Sequence, residues 1–152
     1  YFISVEPITR SVVLAIRGTM LLSDVIADLV AETRPFLGGK SHAGVMRAAE
    51  QLYDKLRDRL AAEMAKRLGF RLVLTGHSLG AGVAVLMTGL LARDRAALGL
   101  RCEVKCFAYA PPPVFAPLDA FPTEASANIV CVVHRADCVP RMTLGSAFRL
   151  LQ

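Results

Sequence analysis

Histidine is scarce in this 152-residue chain. It stands at positions 42, 77 and 134 and does not recur after that. Cysteine is nearly as sparse, at 102, 106, 131 and 138. Cys102 and Cys106 are too far apart for a C-x-x-C pair, and no zinc-like spacing occurs. We read the four as free buried thiols, which favours a reducing compartment, and the chain as cytoplasmic or membrane-associated. Aromatic residues are not interleaved with the basic ones, so nothing is offered for bases to stack on. The net charge is +5, but many of the cations sit between Arg47 and Arg67 beside Glu50, Asp54, Asp58 and Glu63. That mixture is a solvated helix face, and nucleic acid is not expected as a partner. No internal repeat, low-complexity tract or signal peptide is visible; the opening "YFISVEPITR" reads as strand.

One long uncharged run does exist, from Leu72 to Ala92. It has the length of a membrane span, yet Thr75, Gly76, His77, Ser78, Gly80 and Gly82 punctuate it. A strand, a turn and a buried helix fit it better. With hydrophobic residues at 54%, the chain can bury a real core without disulfide staples. Residue 1 falls inside an apparent strand and the last residue in the apolar run "SAFRLLQ". We therefore expect one domain, 1–152, cut at both ends.

The β-branched runs "YFISVE" and "SVVLAI" predict two strands joined by a short turn. Ser23 is a candidate N-cap for a helix in which Val25, Ile26, Leu29 and Val30 share a face. Pro35, Gly38 and Gly39 mark a loop. The best helical periodicity runs through Val45, Ala49, Leu52, Leu56, Leu60, Met64 and Leu68, with Gly69 as its stop. "FRLVLT" is a short buried strand, and Leu79 to about Ala97 an apolar helix. "CEVKCFAYA" and "NIVCVVHR" are further strands, with "PPPVFAPLDAFP" between them a loop that has room for one short turn of helix. Helices alternating with buried strands predict an α/β fold with a mostly parallel sheet covered on both faces. Ligands in such sheets bind at the carboxyl ends of the strands, where "RGT", "GHSLG" and the residues after "CVVHR" fall.

"GHSLG" matches G-x-S-x-G with a strand before it and a helix after it. A chain that reverses sharply from strand to helix strains the residue at the turn, and Gly76 and Gly80 carry no Cβ to clash there. Ser78 would then project its hydroxyl from the top of the sheet. The Leu79 amide, at the positive end of the helix, is the natural first oxyanion donor. The bland reading makes Ser78 an N-cap in a glycine-rich turn. A hydroxyl nucleophile needs an imidazole to take its proton and an acid to orient that imidazole, in the chain order Ser, acid, His. Asp137 in "VVHRADCVPR" is the best acid, with a turn aspartate before Pro140 as the other reading.

Taken in order, "IRGT", "SHAG", "GHSLGAG" and "DCVPR" resemble the class-three, fungal-type lipases of the α/β-hydrolase fold. "AIRGTMLLSDVIADL", "GHSLGAGVAVLMTGLL", "CFAYAPPP" and "HRADCVPRMTL" look most like the diacylglycerol lipases. The resemblance spans about Ser11 to Leu144. It implies an α/β-hydrolase fold, incomplete at its C-terminal end, and roles for matching residues. Ser78 would be the nucleophile and Asp137 the acid. Thr19 would be the second oxyanion donor beside Leu79; its other reading is a strand-end threonine satisfying backbone. Met20 to about Thr33 would be the lid, whose other reading is a core-covering helix. No metal or cofactor is implied, because proton transfer and a covalent ester suffice. Acylglycerol or another lipid ester would be the substrate, brought from a membrane or droplet surface.

The sequence departs from the family at the base. His42 occupies the "H-x-G" position and reads as structural. His77 should point away from the Ser78 hydroxyl and is read as packed and hydrogen-bonded. His134 lies three residues before Asp137, which reverses the family's order. The catalytic histidine is therefore expected beyond residue 152. Two other outcomes remain: a lipase-fold module without catalysis that serves signalling or scaffolding, and a short-chain carboxylesterase.

Overall fold

Every second residue of "SVVLAI" is apolar and bulky, and this alternation selects one side of a strand for the core. The computed structural model describes residues 1–18 and 32–141. In it Val12, Leu14 and Ile16 of β2 (Ser11–Ile16) are buried while Val13 and Ala15 are half-buried. The antiparallel β1 (Phe2–Glu6) pairs with β2, with Ile3 opposite Leu14. Two further strands belong to a second, smaller sheet: β3 (Thr33–Phe36) and β4 (Gly39–His42). Then come helix α1 (Ala43–Ala65), β5 (Arg71–His77), helix α2 (Leu79–Arg93) and β6 (Val104–Tyr109). After β6 follow β7 (Phe115–Ala116), a one-turn helix α3 (Thr123–Ser126) and β8 (Ile129–Val132).

The main sheet has the order β1-β2-β5-β6-β8, and every pairing after the first is parallel. The predicted mostly parallel sheet is present, and the uncharged run from Leu72 divides into β5 and α2. Among the described residues no helix is long and apolar enough to cross a membrane. Buried strand positions Leu14, Leu72, Leu74 and Cys106 join one cluster with Leu56 and Leu60 of α1 and with Leu86 and Leu90 of α2. Both long described helices thus serve the same face of the sheet. Cover on the other face was also expected; among the described residues it is not supplied by a helix of comparable length. The helix expected from Ser23 and the expected lid, Met20 to about Thr33, lie outside the described residues except at the lid's last two positions, where Thr33 begins β3.

The periodicity of α1 is realised through Met64, but the helix ends at Ala65, with Lys66 as C-cap, four residues ahead of Gly69. Gly69 has φ +79 and turns the chain back into β5. Leu68, expected on the buried stripe, is instead 92% exposed in that turn. The expected loop around Pro35, Gly38 and Gly39 is a hairpin. Leu37 and Gly38 both have positive φ (47° and 82°), so a two-residue turn joins β3 to β4 with Phe36 opposite Gly39. Pro35 is compatible because β3 is an edge strand of the sheet β3-β4-β7. β7 arises within the segment read as loop, and Phe115 stacks edge-on to Phe36 and Phe121. All four cysteines are free, yet only Cys106 is buried; Cys131 and Cys138 are exposed. The reading of four buried thiols therefore holds for one, because β8 carries Cys131 at the sheet edge.

Candidate active site

Parallel pairing of β2, β5, β6 and β8 brings four strand ends to one edge. Ser78 follows β5 and is 92% covered, with φ 54 and ψ −125. That ψ lies outside the left-handed helical well, so the residue is strained by about 1–3 kcal/mol. The strain is held by backbone bonds. The Ser78 N–H donates to the Tyr109 carbonyl at the end of β6 (2.9 Å), while the Ser78 carbonyl accepts from Ala81 and Gly82 (2.9 and 3.1 Å). Although Ser78 occupies the N-cap position of α2, its side chain makes no capping hydrogen bond. The bland reading of Ser78 as a capping serine fails on that observation.

The glycines around it are required by close backbone approach. A Cβ on Gly76 would lie 2.5 Å from the Gly80 carbonyl carbon. One on Gly80 would meet the Ile16 carbonyl oxygen and sit 2.8 Å from the Gly18 nitrogen, and one on Gly18 would lie 2.5 Å from the His77 carbonyl oxygen. Three glycines thus clamp the end of β2 against the first turn of α2. The Leu79 amide belongs to that first turn, where N–H groups have no intrahelical partner and face the positive end of the helix. Thr19 follows Gly18 directly but lies outside the described residues.

Ala110 (φ 50) ends β6 and Arg135 (φ 44) follows β8, so with Ser78 three neighbouring strand ends carry a non-glycine residue at positive φ. The Ala110 N–H donates to the Val132 carbonyl (2.8 Å), fixing the β6 end against β8. Sequence reasoning missed both this clamp and the Tyr109 carbonyl. Asp137 stands five residues beyond β8 and is half-buried. Its Oδ1 accepts from the Val139 N–H at 3.1 Å, opening the 3-10 turn Val139–Arg141. Its Oδ2 takes no hydrogen bond among the described residues. The turn reading is therefore correct for one oxygen and leaves the other available. Ser78 directly follows β5 and Asp137 lies in the turn after β8, two places along in the sheet order, so both follow the carboxyl ends of parallel strands.

None of the described histidines bridges Ser78 and Asp137 by its own hydrogen bonds. His42 is 6% exposed, and its Nδ1 accepts from the Val45 N–H (3.3 Å) as N-cap of α1, the structural role expected for it. His77 is exposed at the end of β5, not packed as expected, because the alternation of the strand turns it away from the core. His134 is exposed, and its carbonyl accepts the Asp137 N–H (3.0 Å) in a tight turn. Among the described residues, no group of three or more His, Cys, Asp or Glu side chains converges to hold a metal.

The family model described as Lipase (class 3) matches residues 13–146. The chain belongs to the class 3 lipase family. Rat diacylglycerol lipase-alpha is 34% identical over 95% of this chain. The secreted mono- and diacylglycerol lipase A of Penicillium cyclopium is 32% identical, also over 95%. The chain spans 14% of the first relative's length and 47% of the second's. Among solved structures, a mutant MDLA from Penicillium cyclopium superimposes with TM-score 0.78 at 29% identity, covering 95% of this chain and 53% of that one. Lipase II from Rhizopus niveus gives 0.80 at 24% identity, covering 95% and 56%. The fold is that of the α/β-hydrolases.

Proposed function

We propose that this class 3 lipase chain carries the nucleophile and the acid of a serine hydrolase that cleaves carboxylic esters of acylglycerols. The observation that carries the reading is Ser78: strained, uncapping, and clamped by Gly18, Gly76 and Gly80 at the head of α2. Ser78 Oγ attacks the ester carbonyl carbon, and its proton passes to a histidine supplied from outside these 152 residues. Asp137, through Oδ2, orients that imidazole. The Leu79 amide and Thr19 stabilise the tetrahedral oxyanion; losing one such donor costs about a hundredfold to a thousandfold in rate. The imidazolium returns the proton to the departing glyceride oxygen as the C–O bond breaks. Water, deprotonated by the same imidazole, then releases the fatty acid and restores Ser78. The relatives named as diacylglycerol lipases support an acylglycerol substrate, and a membrane or droplet surface would present it.

The test is labelling of the full-length protein with a fluorophosphonate probe, with and without lipid, beside Ser78→Ala. Labelling that disappears in the variant supports the acyl-enzyme reading, and turnover of diacylglycerol against a short-chain ester then separates a lipase from an esterase. Absence of labelling in folded full-length protein under both conditions would replace this reading with a non-catalytic lipase-fold module.

A further inference from the structure

At the opposite edge of the sheet, where β2, β5 and β6 begin, lies a cleft of about 740 Å³. It is formed by the β1–β2 turn, the last turns of α1, the Gly69 turn and the segment leading into β6. The length of β5 puts it about 23 Å from Ser78, and no role in ester hydrolysis reaches it. Its volume falls within the range of about 300–1,000 Å³ that small-molecule sites occupy.

The lining is divided by chemistry. Ala61, Met64, Phe70 and Leu100 supply apolar walls, and Ile8 and Leu68 are 93% and 92% exposed beside them. Ile8 and Leu68 thus add apolar surface to the rim of the cleft. The charge is mainly positive, with four arginines and one glutamate in the lining. Arg67 is neutralised by Glu63, and Glu103 by Lys105 (3.3 Å). Arg71 is oriented by its Nε donating to Ser11 Oγ (3.0 Å). Arg10 and Arg101 are exposed and make no ion pair among the described residues. Three guanidinium groups that make no ion pair among the described residues thus line an apolar cleft, whose one acid, Glu103, is paired with Lys105.

We infer that this cleft binds a single-chain amphiphile with an acidic head, the chemistry shared by fatty-acid and lysophosphatidate anions. Guanidinium forks match carboxylate and phosphate oxygens in paired hydrogen bonds, and the apolar walls take the chain. A bilayer is disfavoured as the occupant. Docking on this edge would hold the Ser78 edge some 23 Å away from the same membrane. The site stands on the cleft alone and does not require Ser78 to be acylated.

The experiment uses full-length protein, with oleate and 1-oleoyl lysophosphatidate below their critical micelle concentrations and a neutral 1-O-alkyl glycerol as control. At least one acid should bind, with its Kd raised tenfold or more by the pair Arg10→Glu and Arg101→Glu and severalfold by Ile8→Ser. Arg59→Glu, an exposed charge reversal on α1 outside the cleft, should leave it unchanged. Which acid binds more tightly identifies the head. A diazirine-bearing fatty acid should crosslink to residues 61–71 or 99–103 of the unmutated protein, a readout that does not depend on any variant folding. Equal binding of the neutral amphiphile, indifference to the arginine pair, crosslinks confined to the Ser78 edge, or binding to anionic vesicles alone would each overturn the proposal.

Discussion

At the scale of single residues, the site depends on atoms that are not there. Gly80 can approach Ile16 and Gly18 only because it has no Cβ, and that approach holds the strand end beside the Leu79 amide. Its neighbours are backbone, which cannot rotate aside. Gly80→Ala should therefore destabilise the protein by about 3 kcal/mol, at the upper end of overpacking costs, and should reduce labelling of Ser78 even in the fraction that folds. Thermal unfolding and probe labelling check the two halves. The pattern G-x-S-x-G was legible in the sequence, and so was Asp137 as a candidate acid. The division of labour between the two Asp137 oxygens was not, since it depends on how the turn to Val139 closes.

At the scale of elements, a polar contact ties α1 to the C-cap of α2. The Tyr53 hydroxyl, in a side chain only 2% exposed, donates to Asp94 Oδ2 at 2.6 Å. Arg93 holds the same carboxylate through two hydrogen bonds (2.7 and 2.8 Å). The Arg93 bonds, helped by the Tyr53 hydroxyl, hold the Asp94 carboxyl down at about 2, while burial first and Asp94 second push the Tyr53 phenol up to about 12. The depressed carboxyl stabilises the fold fully above its unfolded value near 4, and this contribution is lost as pH falls towards 2. The raised phenol contributes below pH 10 and is lost as pH rises towards 12. Tyr53→Phe should cost about 1.5–3 kcal/mol, the worth of a hydrogen bond to a charged group, and should raise the onset pH of acid unfolding. A variant whose acid limb superimposes on that of the parent would remove Tyr53 from this role. Periodicity located α1 well, but the contact with Asp94, 41 residues away in the chain, could not be read from it.

At the scale of the whole molecule, the proposed mechanism needs a neutral imidazole as its base. An imidazole takes the Ser78 proton only when neutral. The rate of fluorophosphonate labelling should therefore rise with pH and level off above an inflection at about 6.5–7. A rate flat between pH 5 and 8 in a protein that does label would remove histidine as the base. The same scale separates two edges of one sheet. The carboxyl edge holds the strained turns, while the amino edge gathers Arg10, Arg71 and Arg101 around an apolar cleft.

Those three arginines come from segments up to 91 positions apart, and nothing local marks them as a set. By contrast, the sequence by itself determined the five strands of the main sheet, the two long described helices and the glycine-flanked turn at Ser78. Each of these is written in neighbouring residues, through alternation, 3.6-residue periodicity or glycines at fixed offsets. The hairpin at Leu37 and Gly38 escaped because proline and glycine signal a turn without saying what flanks it. Only the tertiary structure decided which strand ends meet, that Ser78 does not cap its helix, and where the basic cleft lies. Parallel strands join residues distant in the chain, and their neighbours are chosen by burial of shared faces, which no short stretch of sequence encodes.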